Sequence, residues 1–432
     1  MLNIDNKIGS EMYSWAEDLF PICRSLTGPG VRETLNYLKK LIPELKIESV
    51  PSGYKAFDWT VPKEWSVLAA YIEDDKGNVV VDFKDNNLHL VGYSHSIDKW
   101  VELDELDDHL FSLPEQPTAI PYVTSYYDLN WGFCITDILR KRLKEGKYHV
   151  VIDSKLEDGV LNYGELIIPG ETDREILLST YICHPSMANN ELSGPVVTTA
   201  LAKWLMGQMN RKYTYRILFV PETIGSIVYL SKHLEHLKKK VDAGLVVTCV
   251  GDDRDYSFLP SRLGSTLIDR VSLSVMSSFI GEFKKYSFLD RGSDERQFCS
   301  PGVDLPVASI MRTKYGIYPE YHTSLDDLSL ISPAGLSGGY SLIKKVIQCL
   351  ELNNTYISKV FCEPQLGKRN LYPRLSTKSK ADYVEAEIIL NVLAYCDGQT
   401  DLLRISEILK KSIFELKDVV NILIDNALIE EI

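Results

Sequence analysis

The chain has 432 residues, 45% apolar and 25% charged, which suits a soluble globular protein and is too long for one ordinary core. A net charge of −13 excludes a general binder of nucleic acid or of anionic membranes, since polyanions would repel it. No run is long and apolar enough to span a bilayer, the first fifteen residues lack an apolar signal core, and the eight cysteines show no CxxC spacing. The expectation is a reduced, cytoplasmic chain with no membrane segment, no disulfide framework and no thiolate zinc site.

In chain order, residues 9–45 carry apolar positions at helical spacing, interrupted at SLTGPG. Residues 51–121 change texture: FDWTV, WSVLAAYIED, VVVDF and LHLVGYS are short alternating strands with turns between them, which predicts a small β-rich insert. Strands and helices then alternate. KYHVVIDS, REILLSTYI, YRILFVPE, AGLVVTCVGDD and LPVASIM are strands, and SGPVVTTALAKWLMGQM, GSIVYLSKHLEHLKKK and SPAGLSGGYSLIKKVIQCLEL are helices. That alternation predicts an α/β domain over 1–50 and 122–355, built on a mostly parallel sheet covered by helices. KRNLYPRLSTKSK belongs to a polar linker at 356–380, and a short helical domain occupies 381–432.

In an open α/β sheet, ligands gather at the carboxyl ends of the strands. Cys183 and His184 follow LLSTYI, with Glu191 seven residues on; Glu222 follows RILFVP; Asp252 and Asp253 follow VVTCVG; Tyr321 and His322 follow LPVASIM and its loop. Two histidines and several carboxylates therefore leave one edge of the sheet, a donor set suited to Zn²⁺ or a similar divalent ion in a water-accessible site. Glu191 equally suits a first-turn acid at a helix N-terminus, and Asp252 and Asp253 equally suit turn residues.

The succession of His184, ANNELSG, FVPETIGS, VTCVGDD, RGSDERQF and YHTSLDD resembles the di-zinc aminopeptidases of the M28-like clan. Over nearly its full length, the chain resembles more closely a bacterial family described as polysaccharide-biosynthesis proteins with an aminopeptidase-like domain, of the DUF4910/DUF2172 type. LFPICRSLTGPGVRETL, FDWTVPKEW and LPEQPTAIPYVTSYY carry that likeness. It implies an aminopeptidase-like (phosphorylase/hydrolase-like) sheet with a β-rich insert and a C-terminal winged-helix-like domain. The clan's bridging aspartate falls on Asn190, the second glutamate of its EE pair on Thr223, and a mid-strand aspartate on Thr248. With those acids replaced, the resemblance implies one zinc ion, not two, held by His184, Glu191 and His322, with Asp252 near Thr248 as a further ligand. Glu222 matches the clan's general base. Asn190, Asp294, Arg296 and Tyr321 are placed around the ligands or the substrate; Arg291 and Arg296 suit a substrate carboxylate in fork geometry and equally suit surface charges.

The implied function is a zinc-dependent, aminopeptidase-like hydrolase of an amide or peptide bond in a small substrate, linked to polysaccharide biosynthesis by family association. The other reading is a non-catalytic binding or scaffold protein that has lost the full metal site. In 381–432, four basic residues face eleven acidic ones, so the tail is assigned to a protein partner or to self-association and not to DNA.

Overall fold

The computed structural model describes residues 2, 4–369, 371 and 380–432. Two compact bodies divide the chain, Leu2–Asp269 with Phe283–Ser341, and Arg270–Glu282 with Leu342–Ile432.

The larger body is built on an eight-stranded sheet. Its middle four strands, Thr214–Val220, Glu175–Tyr181, Val241–Val246 and Val307–Met311, are neighbours in that order and all parallel. Lys46–Pro51 and Val160–Ile168 extend one side antiparallel, and Ser257–Leu259 with Lys284–Lys285 extends the other. Glu175–Tyr181 is buried at every position, as a central strand covered on both faces must be. The mixed edges modify the expected sheet without changing its centre, where four parallel strands bring their carboxyl ends to one rim.

After Glu175–Tyr181 the chain turns through His184 into a buried π-helical turn, Ala188–Leu192, and then the helix Ser193–Met206. Gly194 makes that approach tight: a Cβ there would sit 2.3 Å from the Val247 carbonyl oxygen and 2.4 Å from Thr180 Oγ1. Two further helices, Asn6–Leu19 and Pro29–Leu41, account for the helical spacing near the start; the SLTG of SLTGPG lies between them and its Pro29 and Gly30 open the second.

The insert is wider than the sequence predicts. Its four-stranded sheet runs Val79–Asp82, Glu64–Asp74, Lys147–Glu157, Ile97–Glu102, so the strand read as the first of the α/β region belongs here instead. A separate hairpin pairs Lys55–Ala56 with Trp59–Thr60.

In the second body, Thr355–Ser358 pairs with both Asp397–Asp401 and Ile429–Glu431, beside helices Lys380–Ala394, Leu402–Leu409 and Ile413–Asp425. The start of the expected linker is therefore a central strand, and its residues 370 and 372–379 lie outside the described ones. Among the described residues, no helix is long and apolar enough to cross a membrane.

Candidate active site

At the rim of the parallel strands, His184, Glu222 and His322 line one cavity of about 360 Å³. The imidazole centres of His184 and His322 lie 5.5 Å apart. Tyr122 stands edge-on to both rings at 5.3 Å, and its backbone N–H donates to the His322 carbonyl at 2.9 Å. Tyr321 stacks on His322 at 3.9 Å, which fixes the plane of that ring.

The two nitrogens of His184 have different partners. Nδ1 meets Glu191 Oε2 at 2.9 Å, and Nε2 stands 3.5 Å from Glu222 Oε2. The carboxylate at Nδ1 orients the ring so that Nε2 faces the cavity; burial opposes the charged form, but Cys183 and Glu191 raise the imidazole well above its usual value. The other oxygen of Glu191 lies 3.5 Å from Arg24 Nε, and both side chains are fully buried. Arg24 also donates from Nε to the His184 carbonyl at 2.9 Å and from Nη1 to that of Leu19 at 2.7 Å. Glu191, expected as a ligand, thus sits behind His184 and does not line the cavity.

Donor atoms of Cys183, His184 and Glu191 do come within 4.8 Å of one another. They converge on the Nδ1 side, where the Glu191 hydrogen bond already holds the nitrogen. Burial pushes the Cys183 thiol up to about 11, so it is a neutral group accepting the Glu222 backbone N–H at 3.2 Å.

Glu222 follows the strand Thr214–Val220 and Pro221 and precedes the helix Ile224–Lys240. The turn is strained, because Thr223 adopts a φ of 64° that β-branched residues avoid. Asp294 holds it: one carboxylate oxygen accepts both the Thr223 N–H and the Ser226 hydroxyl at 2.8 Å. Burial, then the nearby Glu222 charge, raises Asp294 to about 7. Burial likewise raises Glu222 above the usual carboxylate range, against the pull of His184 and Arg296. Asp294 therefore serves the turn that carries Glu222, and its bonds are to this chain's own backbone and hydroxyl groups.

Positions 190, 223 and 248 carry uncharged side chains where the M28-like pattern has acids. Asn190 Nδ2 donates to the Tyr181 hydroxyl at 2.7 Å, which meets Thr248 Oγ1 at 2.6 Å, and Thr248 donates back to the Asn190 carbonyl at 3.1 Å. Thr223 Oγ1 accepts from Arg296 at 2.6 Å.

Asp252 is apart from this cavity, with both oxygens committed. They accept from Asn189 Nδ2 at 3.1 Å, Thr313 N at 2.9 Å, Thr313 Oγ1 at 2.8 Å and Arg254 N at 2.9 Å. It joins loops, which corrects its expected place among the ligands. The acid that ties the two histidine loops together is Asp326, the last residue of the HT..D pattern. Its carboxylate accepts Asn189 N at 2.6 Å, Asn190 N at 2.9 Å and the Tyr318 hydroxyl at 3.0 Å.

Two imidazole nitrogens at this rim suit a divalent ion, one fewer than the three protein ligands common in catalytic zinc sites. His322 Nε2 is buried with no hydrogen-bond partner, and so is Asn190 Oδ1. Burial, with His184 close by, depresses His322 to about 3, so the ring is neutral and its lone pair free. Ring centres 5.5 Å apart allow one ion to bond a nitrogen of each at about 2.1 Å.

Residues 13–353 match the family model described as "Domain of unknown function (DUF4910)", and residues 354–431 match a winged helix-turn-helix model. A Clostridium acetobutylicum protein, named as a candidate polysaccharide biosynthesis protein with an aminopeptidase-like domain, is 46% identical over 93% of this chain and 92% of its own. A crystal structure of a candidate peptidase from Clostridium acetobutylicum superposes with a TM-score of 0.92 at 43% identity, covering 99% of this chain and 97% of that one. BSAP, a zinc aminopeptidase from Bacillus subtilis, shares the fold at a TM-score of 0.57 and 12% identity, covering 80% of this chain and 95% of its own. The chain has an aminopeptidase-like fold with a winged-helix segment after it, and it belongs to the DUF4910 family.

Proposed function

We propose that the chain is a metal-dependent hydrolase of an amide bond in a small substrate, using one divalent ion, zinc by preference. The observation that carries this reading is the meeting of His184 Nε2, the unpartnered His322 Nε2 and Glu222 in one cavity. His184 and His322 would hold the ion, which would polarise the substrate carbonyl and acidify a water molecule. Glu222, whose oxygen faces the cavity beside His184, would accept a proton from the attacking water. Water oxygen adds to the acyl carbon, the C–N bond breaks, and the amine leaves with the proton that Glu222 returns. Tyr122 and Tyr321 hold the two imidazoles in place throughout.

One ion is favoured over two because Asn190, Thr223 and Thr248 offer no carboxylate, and Asn190 Nδ2 and the two threonine hydroxyls bond Tyr181, Arg296 and the Asn190 carbonyl. The same uncharged side chains support the second reading, a peptidase fold kept as a binding scaffold. Metal analysis of the purified chain separates the two. About one zinc per chain, lost in both His184→Ala and His322→Ala, is the expected result; no metal at any stoichiometry leaves only the scaffold.

The name of the Clostridium relative suggests a glycan precursor as the source of the amide. All eight cysteines are unpaired thiols, which fits a reducing cytoplasmic setting. For the acidic winged-helix tail we favour a protein partner or self-association, and duplex DNA binding at physiological salt would reverse that assignment.

A further inference from the structure

Beyond its catalytic groups, the cavity presents an aromatic wall and one cation. Trp59 comes from the hairpin of the insert, and its ring meets Tyr127 edge-on at 6.1 Å. Both line the cavity, yet they stay 39% and 54% exposed, open to a partner on their free faces. The hairpin that presents Trp59 turns at Phe57 with a φ of 53°, a strained conformation for a bulky residue.

The cation is Arg296. Its guanidinium lines the same cavity and donates only to Thr223 Oγ1. Among the described residues no carboxylate lies within 4.0 Å of it, as is also true of Arg142, Arg211, Arg291 and Arg312, but Arg296 is the arginine that lines this cavity. In a chain of net charge −13, an exposed guanidinium with no carboxylate in direct contact, its charge felt at Glu222 from across the cavity, is placed for an anion from outside. It stands alone there, which suits a monoanionic carboxylate in fork geometry better than a phosphate dianion. Thr223 is next to Glu222, so an anion on Arg296 sits one residue's width from the proposed base. In an N-acyl amino acid, the carboxylate is likewise borne by the carbon attached to the scissile nitrogen.

We propose that the cavity selects amides whose amine side carries a carboxylate, held by Arg296, with a ring or flat apolar group against Trp59 and Tyr127. N-Acylated, ring-bearing amino acids are the simplest members of that class. The insert then has a role: it supplies one wall of substrate selection. This inference rests on the cavity being the substrate site, and binding without turnover tests it separately from hydrolysis.

N-Acetyl-L-tyrosine and N-acetyl-L-tyrosinamide differ only in the charged group, and ligand-observed NMR titration of the full chain compares them. The acid should bind about tenfold tighter. Arg296→Gln should bring the two to parity, Arg296→Lys should keep part of the preference, and Trp59→Ala should weaken both equally. Equal affinities in the wild type, no binding of either compound, or a preference undiminished in both arginine variants would overturn the proposal. Selective binding without hydrolysis of any amide would uphold it and sink the hydrolase reading. Hydrolysis indifferent to the carboxylate would do the reverse.

Discussion

Glu191 faces the back of His184, 2.9 Å from Nδ1, and so meets the imidazole on the side away from the cavity. A carboxylate there sets the tautomer and raises the basicity of the opposite nitrogen. It also neutralises Arg24, whose charge is fully buried. Glu191→Gln should therefore lower zinc affinity by about 10–100-fold, read by competition with a chelator, while His184 stays in place. Glu191→Ala should in addition destabilise the chain by about 3–5 kcal/mol in denaturant unfolding, because it strands the Arg24 guanidinium. Unchanged zinc affinity in the glutamine variant would show that the carboxylate does not act through His184.

Glu222 is the group whose removal should separate binding from chemistry. Glu222→Gln keeps the shape of the side chain and the Thr223 turn but cannot accept a proton. Turnover of a hydrolysed amide should fall by about 10²–10⁴-fold while the zinc content stays the same. A variant that loses both together would point to Glu222 as a ligand, and one that loses neither would remove it from the mechanism.

Much of this site was legible before any coordinates, because each strand of a parallel sheet delivers its next residue to the same rim. That is why His184, Glu222 and His322, far apart in the chain, could be grouped from sequence. What sequence could not supply is the direction in which a side chain faces. Glu191 and Asp252 carry the right chemistry at the right rim, yet one turns behind a histidine and the other is consumed by four hydrogen bonds. The limits of the insert were hidden for a related reason. Lys147–Glu157 alternates buried and exposed positions as a strand should, but periodicity does not say that its neighbours are Glu64–Asp74 and Ile97–Glu102. Trp59 and Tyr127 lie in FDWTVPKEW and LPEQPTAIPYVTSYY, stretches that carry the family likeness, but nothing in either says that the two rings meet; only the tertiary fold makes them one wall.

Asp326 should be the most costly acid to remove near the cavity. Its carboxylate gathers the N–H groups of Asn189 and Asn190 with the Tyr318 hydroxyl, locking the turn after His184 to the loop that carries His322. Asp326→Ala leaves those buried donors without an acceptor, at about 1–3 kcal/mol for each. Denaturant unfolding should show a loss of several kcal/mol, and zinc affinity should fall because the two histidines lose their mutual register. A fully stable variant with weakened zinc binding would separate positioning from folding; a stable variant with full zinc affinity would contradict the bridging role.

In the insert, His149 reports pH. Its Nε2 meets Asp98 Oδ1 at 2.7 Å and its Nδ1 lies 3.5 Å from Glu73 Oε2, and the Asp98 hydrogen bond, followed by Glu73, raises its pKa. The ring stacks on Trp100, centres 5.0 Å apart and planes 12° from parallel. A histidine raised in the folded state stabilises the fold fully below its unfolded value of about 6.5, and that contribution is lost as pH rises through the higher folded value. Imidazolium quenches indole emission, so Trp100 should brighten over the same interval. The difference in tryptophan emission between wild type and His149→Gln should therefore titrate with a midpoint above about 6.5. Raised salt should move that midpoint down, since the carboxylates act across a solvent-exposed surface. A midpoint at or below the ordinary histidine value would mean that Asp98 and Glu73 do not hold the proton in place.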